Sequence, residues 1–259
     1  MHDNRSCIQT LRKAILVAVL AGASLLVGIT SPAWSAEQKK RTNLLELFTS
    51  QGCSSCPPAD ALLRQLSKRA NVLALSFPVS YWDHLGWKDT LAKDAYNERQ
   101  RAYAEARGDR QIYTPQLIVN GMVDVVGSQS DEIEEAMKNT DQVLRDSWVP
   151  VSLRYDGNTF AVDTGAAPEA SVYRSGKLWL ALYSNSVTVA IGRGENTGRS
   201  VTYTHVVRKV VPVGLWHGRS ANYTVPTPAG TSFDGCAAVL QADKSNAVLG
   251  AASAIASSQ

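Results

Sequence analysis

In this 259-residue chain, Cys53 and Cys56, separated only by Ser54 and Ser55, are the side chains whose type and spacing point most directly to chemistry. Two thiols at that spacing can exchange a disulfide, hold a soft metal ion or staple a loop. They follow the apolar run Asn43–Thr49, which reads as a buried strand, and precede Pro57 and Pro58, which fit only the first turn of a helix. From Pro57 to Ala70 the apolar residues Ala59, Leu62, Leu63, Leu66 and Ala70 recur at helical spacing. A thiol at such a helix start lies at the positive end of the helix dipole, which favours the thiolate that attacks disulfides. Cys53 is therefore the candidate nucleophile and Cys56 the candidate resolving thiol. Further along, Tyr113-Thr114-Pro115 precedes a predicted hairpin. A proline there in the cis form would leave the Thr114 backbone free to pair with a substrate segment, so Thr114 and Pro115 join the site as substrate-binding candidates. Trp82, in the aromatic stretch Tyr81–Trp87, is a third, covering the pair together with Trp87 or filling core.

Other chemistry remains open for the same residues. A permanently oxidised Cys53–Cys56 staple needs no reactivity at all. A structural zinc site needs about four ligands, and one Cys pair does not supply them. Cu(I) suits soft thiolates, with His84 as a third ligand from the aromatic stretch. No metal or organic cofactor is required by the leading interpretation. Cys236 opens a predicted strand with Ala238 and Leu240 on its own face, and is expected as a buried free thiol or, alternatively, a transient partner of Cys53. Gly192–Gly198 lacks the Gly-Lys-Ser/Thr ending of a phosphate loop and reads as a hairpin loop. His205 and His217 read as structural, and Arg99, Arg101 and Arg107 as a solvated helix face.

The elements needed to position these residues are legible in outline. Asn71–Phe77 reads as a second strand and Asp89–Arg107 as a long helix whose stripe is Leu91, Ala92, Ala95, Tyr96, Arg99, Ala102, Tyr103 and Ala106, ended by Gly108. Gln116–Val119 and Met122–Val126 flank Asn120-Gly121, a strong hairpin signal. Ser130 can cap a last helix reaching about Arg145. From Ser147 the pattern changes to strands: Val149–Tyr155, Thr159–Asp163, Leu178–Tyr183, Val187–Ile191, Val201–Val211 and Ala237–Gln241. The expected architecture is an α/β domain over 43–146, with a central mixed sheet and flanking helices, followed by a separate all-β domain over 147–259, a sandwich by its strand pattern.

Composition narrows the function classes. Arg12 and Lys13, the apolar run Ala14–Ile29 and small residues near Ala33-Trp34-Ser35 or Ala36 have the parts of a secretory signal over 1–35, with a polar leader over 36–42. The apolar run is shorter than the ~20 residues that span a bilayer comfortably, so cleavage is favoured over an anchor. The chain is therefore expected to be periplasmic or secreted, with no stable membrane span after cleavage. Its formal net charge of +3 includes Arg5, Arg12, Lys13 and Asp3 of that segment, leaving 23 cations against 22 acids. That near balance argues against a nucleic-acid partner and leaves protein thiols or disulfides as the expected partners; the oligomeric state is not specified.

The Cys53-Ser54-Ser55-Cys56 pair, Thr114-Pro115 and the order of elements around them resemble the thioredoxin-like superfamily from Leu44 to about Arg145. The resemblance implies an exposed Cys53, a more buried Cys56, Pro115 in cis beside them, and thiol-disulfide exchange. Gly52 stands where that superfamily usually has tryptophan, two prolines follow Cys56, and the long helix with its aromatic loop is inserted. The run Glu-Leu-Phe-Thr-Ser-Gln-Gly-Cys-Ser-Ser-Cys-Pro-Pro-Ala-Asp, with Tyr81-Trp82-Asp83 and Arg193-Gly194-Glu195-Asn196, is similar over nearly the whole mature chain to an uncharacterised secreted bacterial family, domain-of-unknown-function family 1223.

Overall fold

Strands buried on both faces build one large sheet, and four apolar cores form around it. The computed structural model describes residues 41–256; the expected signal segment lies outside the described residues. Strand β1 (Asn43–Thr49) leads into helix α1 (Cys56–Leu66), strand β2 (Val72–Pro78), helix α2 (Asp94–Arg107), the hairpin β3 (Gln116–Val119) and β4 (Val123–Val126), and helix α3 (Ser130–Val143). Seven strands follow: β5 (Val151–Tyr155), β6 (Thr159–Thr164), β7 (Gly176–Ala190), β8 (Ser200–Trp216), β9 (Ala221–Pro226), β10 (Gly235–Ala242) and β11 (Val248–Ile255). Eight strands form a mixed sheet in the order β11-β10-β7-β8-β2-β1-β3-β4, and β5-β6-β9 form a second, three-stranded sheet.

This overturns the expected two-domain architecture. The described residues are mainly β with three α-helices, and strands from both sides of residue 146 share the large sheet. The described residues 41–256 fall in one compact unit. The junction is a short parallel contact, Ser76 opposite Val206, strengthened where the Ser76 hydroxyl donates to the Thr204 carbonyl at 2.7 Å. A run of β-forming residues specifies a strand but not its partner, which is why a separate β domain was expected from the pattern.

The cores confirm the fusion. Leu44, Phe48, Leu75, Phe77 and Ile118 on one face of the first strands pack with Trp179, Ala181, Val207, Val239 and Val248 from the later ones, beneath Tyr96 and Tyr103 of α2. The opposite face of β1 carries Leu45 and Leu47 into a core with α1 and α3. The outer face of β7 and β10 packs on the small sheet through Leu180, Leu182, Leu240, Phe160 and Val162. The β3–β4 turn uses left-handed Asn120 and Gly121 as the Asn-Gly signal requires. A Cβ on Gly121 would fall 2.0 Å from the Asn246 carbonyl, so this turn also has to be bare for the β10–β11 turn to close on it.

Two helix expectations change. Helix α2 begins at Asp94, not Asp89, because the Asp89 carboxylate accepts the Gln51, Leu91 and Ala92 backbone N–H groups and fixes a loop. Its buried side is Tyr96, Asn97, Gln100, Tyr103 and Ala104, while Ala95, Ala102 and Ala106 face outward. Arg99 is not on a solvated face. Its Nε donates to Glu46 Oε1 at 2.8 Å, and its guanidinium lies 4.0 Å from the Trp179 ring centre. Glu46 is fully buried in mid-strand and needs that partner, since an unpaired buried carboxylate is costly. Arg107 likewise pairs with Asp109 and Asp124.

Candidate functional site

The strand β1 ends at Thr49, and the chain turns through Ser50–Ser55 before α1 starts at Cys56. Within that turn Cys53 and Cys56 form a disulfide, with Cα atoms 5.4 Å apart. The Cys53 N–H donates to Ser50 O and the Cys56 N–H to Cys53 O, both at 3.2 Å. The next two residues, Pro57 and Pro58, have no N–H to offer. The helix start therefore provides its dipole but few free amide donors for a thiolate, a weaker version of the stabilisation expected from the pattern. The Ser55 hydroxyl, 3.4 Å from the Cys53 sulfur, is the nearby polar group.

Cys53 differs from expectation in its exposure: it is 2 % accessible and Cys56 is 0 %, while Ser54 and Ser55 are exposed. The cover comes from a distant part of the sequence. The long β7–β8 hairpin carries its tip, Ile191–Arg199, onto the cysteine turn, where Asn196 Nδ2 donates to Gln51 O at 3.0 Å and to Cys53 O at 2.8 Å. The tip also rests on Trp87: a Cβ on Gly194 would lie 3.2 Å from the Trp87 Cβ, and one on Gly192 3.2 Å from its ring. Trp87 Nε1 in turn donates to Gln51 Oε1 at 2.8 Å.

Thr114-Pro115 is a cis peptide bond, as the resemblance implies. Pairing of Phe48 with Gln116 brings Pro115 alongside the end of β1, just before the cysteine turn. Trp82 links the two: its Nε1 donates to Thr114 Oγ1 at 2.7 Å, and its Cβ lies 3.0 Å from where a Gly52 Cβ would be. Gly52 is thus small because Trp82 presses on it. Cys53, Cys56, Thr114, Pro115 and Trp82 are gathered at one end of β1. His84 is not part of this group; it is exposed on the short 3-10 turn Asp83–Leu85, with Nδ1 2.9 Å from Tyr81 O. Among the described residues no cluster of three or more His, Cys, Asp or Glu is placed to hold a metal ion. His205 packs against Tyr183 with Nδ1 2.9 Å from Ala74 O, and burial lowers its pKa, consistent with a structural role.

Three contributors carry no isolated chemical signal in the sequence. Asp60, one turn after Cys56 on α1, is buried with Oδ2 accepting the Thr49 hydroxyl at 3.2 Å and Oδ1 unpartnered among the described residues. Burial pushes its pKa well above the carboxylate range, the Thr49 bond works against this, and Asp89 adds to it. Asp89 is raised too, by burial first and by Asp83, against three backbone N–H bonds. Asn196 is the third. Asp60 and Asn196 both stand within the family pattern quoted above, the one place where the sequence marks them.

Residues 44–241 match the family described as "Protein of unknown function (DUF1223)". A crystal structure of protein AGR_C_4864 from Agrobacterium tumefaciens is similar at 33% identity and a TM-score of 0.74, covering 86% of this chain and 98% of that one. HBP35 of Porphyromonas gingivalis shares the fold at 12% identity and a TM-score of 0.56, over 83% of this chain and 75% of its own. No curated protein matches. By the extent of the family match, and with a relative one-third identical over most of both chains, this protein belongs to the DUF1223 family.

Proposed function

We propose that the protein is a thiol-disulfide oxidoreductase acting on protein thiols outside the cytoplasm, using Cys53 and Cys56 as thioredoxin-like proteins use their cysteine pair. The observation that carries this reading is the Cys53–Cys56 disulfide at a strand-to-helix turn, tied through Trp82 to the cis Thr114-Pro115 bond. In the oxidising direction a substrate thiolate attacks Cys53 Sγ, the Cys53–Cys56 bond breaks, and Cys56 leaves as a thiolate. A second substrate thiolate then attacks the substrate sulfur of the mixed disulfide and releases the Cys53 thiolate. The substrate dithiol is oxidised by two electrons and the protein disulfide reduced by two. Asp60, raised by burial and one turn from Cys56, would supply the proton the departing Cys56 thiolate takes up.

Access sets a condition on this chemistry. At 2 % exposure Cys53 is not open to a protein thiol, so this reading requires the β7–β8 tip to lift and release the Asn196 bonds first. The same burial favours a second reading, a permanent staple that fixes the turn. Insulin reduction by the dithiol form, with a redox midpoint from glutathione titration, distinguishes the two. Exchange well above background that vanishes in Cys53→Ser supports the oxidoreductase; a disulfide that resists glutathione and catalyses nothing leaves the staple.

A further inference from the structure

On the inner face of the large sheet, away from the cysteine turn, helix α2 stops short of covering β7, β8 and β10, and two adjoining cavities of about 410 and 370 Å³ open there. They share Arg99, Val210, Gln241 and Asn246, and so form one cleft, of a size that suits a small ligand. Its walls are apolar and aromatic: Tyr96 and Tyr103 on one side, Trp179 and Val210 on the other. In the first cavity every charged lining residue is a cation, namely Lys93, Arg99, Arg208 and Lys209. Glu46 answers only Arg99, and is already engaged by its Nε and by the Tyr103 hydroxyl. Lys93, Arg208 and Lys209 have no acidic partner among the described residues: Lys93 Nζ donates to the Arg208 carbonyl, burial lowers its pKa, and the charges of Arg208 and Lys209 lower it further. Arg99 lines both cavities; its Nη2 is used by Tyr103 and Gln241, while Nη1 has no hydrogen-bond partner among the described residues.

We propose that this cleft binds a small organic anion with an apolar body, its negative group among Lys93, Arg208 and Lys209 and its body along Val210 towards Trp179. An anion there relieves the repulsion among three cations, and the aromatic walls take apolar surface out of water. Neither neutral apolar molecules nor bare inorganic anions satisfy both halves of the cleft. The proposal is independent of the cysteine chemistry.

Naphthalene-2-sulfonate is a suitable probe, with uncharged 2-naphthol and inorganic sulfate as its separate halves. In ¹⁵N-edited NMR titrations of the folded protein, the sulfonate is expected to shift α2 and the Arg208–Val210 amides at least tenfold more tightly than either half. Arg208→Gln with Lys209→Gln should weaken the sulfonate about tenfold and leave 2-naphthol unchanged, the loss expected from removing close charge partners. Val210→Trp, which fills the floor without touching the charges, should weaken both aromatic probes, with the unperturbed remainder of the spectrum confirming the fold. Equal affinity for sulfonate and naphthol, shifts mapping to another surface, or undiminished binding by the double variant would overturn the proposal.

Discussion

Two sulfur environments on the same sheet behave differently for reasons of position. Cys53 and Cys56 occupy the turn after β1, where the chain leaves the sheet and polar groups converge: Ser55 Oγ, Asn196, and the Gln51–Asp89 bond at 2.8 Å. Cys236 lies within β10, packed against Leu180, Leu182 and the small sheet, with its thiol donating, among the described residues, to Ala254 O alone at 3.5 Å. Burial pushes the Cys236 thiol up to about 11, moderated by that one bond. Burial alone does not distinguish the three cysteines, since all are nearly inaccessible; what differs is the surroundings, a hairpin tip bonded to the turn of the pair and neighbouring strands packed on Cys236.

The contrast is broken most directly by substitution. Cys53→Ser should abolish insulin reduction, a loss of at least about 1,000-fold relative to wild type, because no sulfur remains to form the mixed disulfide. Cys236→Ser should keep turnover within about twofold while lowering stability by about 1–2 kcal/mol, the cost of placing a hydroxyl in an apolar site with one weak partner. Equal losses in both variants would mean Cys236 takes part in exchange.

Asp60 sharpens the same contrast by a second route. Asp60→Asn should lower the exchange rate about 100-fold and remove the limb of its pH profile that Asp60 contributes, whereas a purely structural Asp60 would leave the profile's shape unchanged. Its effect on stability has the opposite sign. With its folded pKa raised, Asp60 supports the fold fully below its unfolded pKa, and this support is lost as pH rises towards the folded value. Urea midpoints should therefore show Asp60→Asn gaining stability relative to wild type near neutrality and losing that advantage in acid.

The turn's cover gives a smaller effect. Asn196→Ala removes two hydrogen bonds to the cysteine turn, and about 1.4 kcal/mol lost from the closed state corresponds to a tenfold rise in the open population. Alkylation of the reduced pair and insulin turnover should both rise about tenfold. Unchanged alkylation would show that the tip is not what limits access.

How much of this was legible depends on whether a residue's partner is near it in sequence. The strand-to-helix turn, the Asn120-Gly121 hairpin and the strand position of Cys236 are local patterns, and all three stand. The division into two domains failed at Ser76 and Val206, whose pairing joins residues far apart with no local mark. Arg99 looked solvated because its charge sits among other charges of α2; only the buried Glu46, on another element, explains its inward place. Asp89 read as a helix start because acidic residues favour one, but its carboxylate serves the Gln51 N–H. Asn196 was invisible as a clamp because a Gly-rich hairpin tip has the same composition whether it closes on a site or projects into water.

Alkaline titration tests the quiet side of the comparison. The Cys236 thiol is raised from an ordinary 9.0 to about 11, so the unfolded chain ionises first and the fold loses support as pH climbs between those values. Tyr183 lies near enough to feel that charge; burial, and next the Cys236 thiolate, push its pKa up to about 12. Across that window one such group contributes a slope of about 1.4 kcal/mol per pH unit. Cys236→Ala should flatten the fall in urea midpoint above about pH 9 by up to that amount and leave values near pH 7 almost parallel to wild type. Iodoacetamide should label wild-type Cys236 under alkaline native conditions only as fast as the strand opens. Labelling that instead follows the thiolate fraction would place Cys236 within reach of solvent and make it a second reactive thiol.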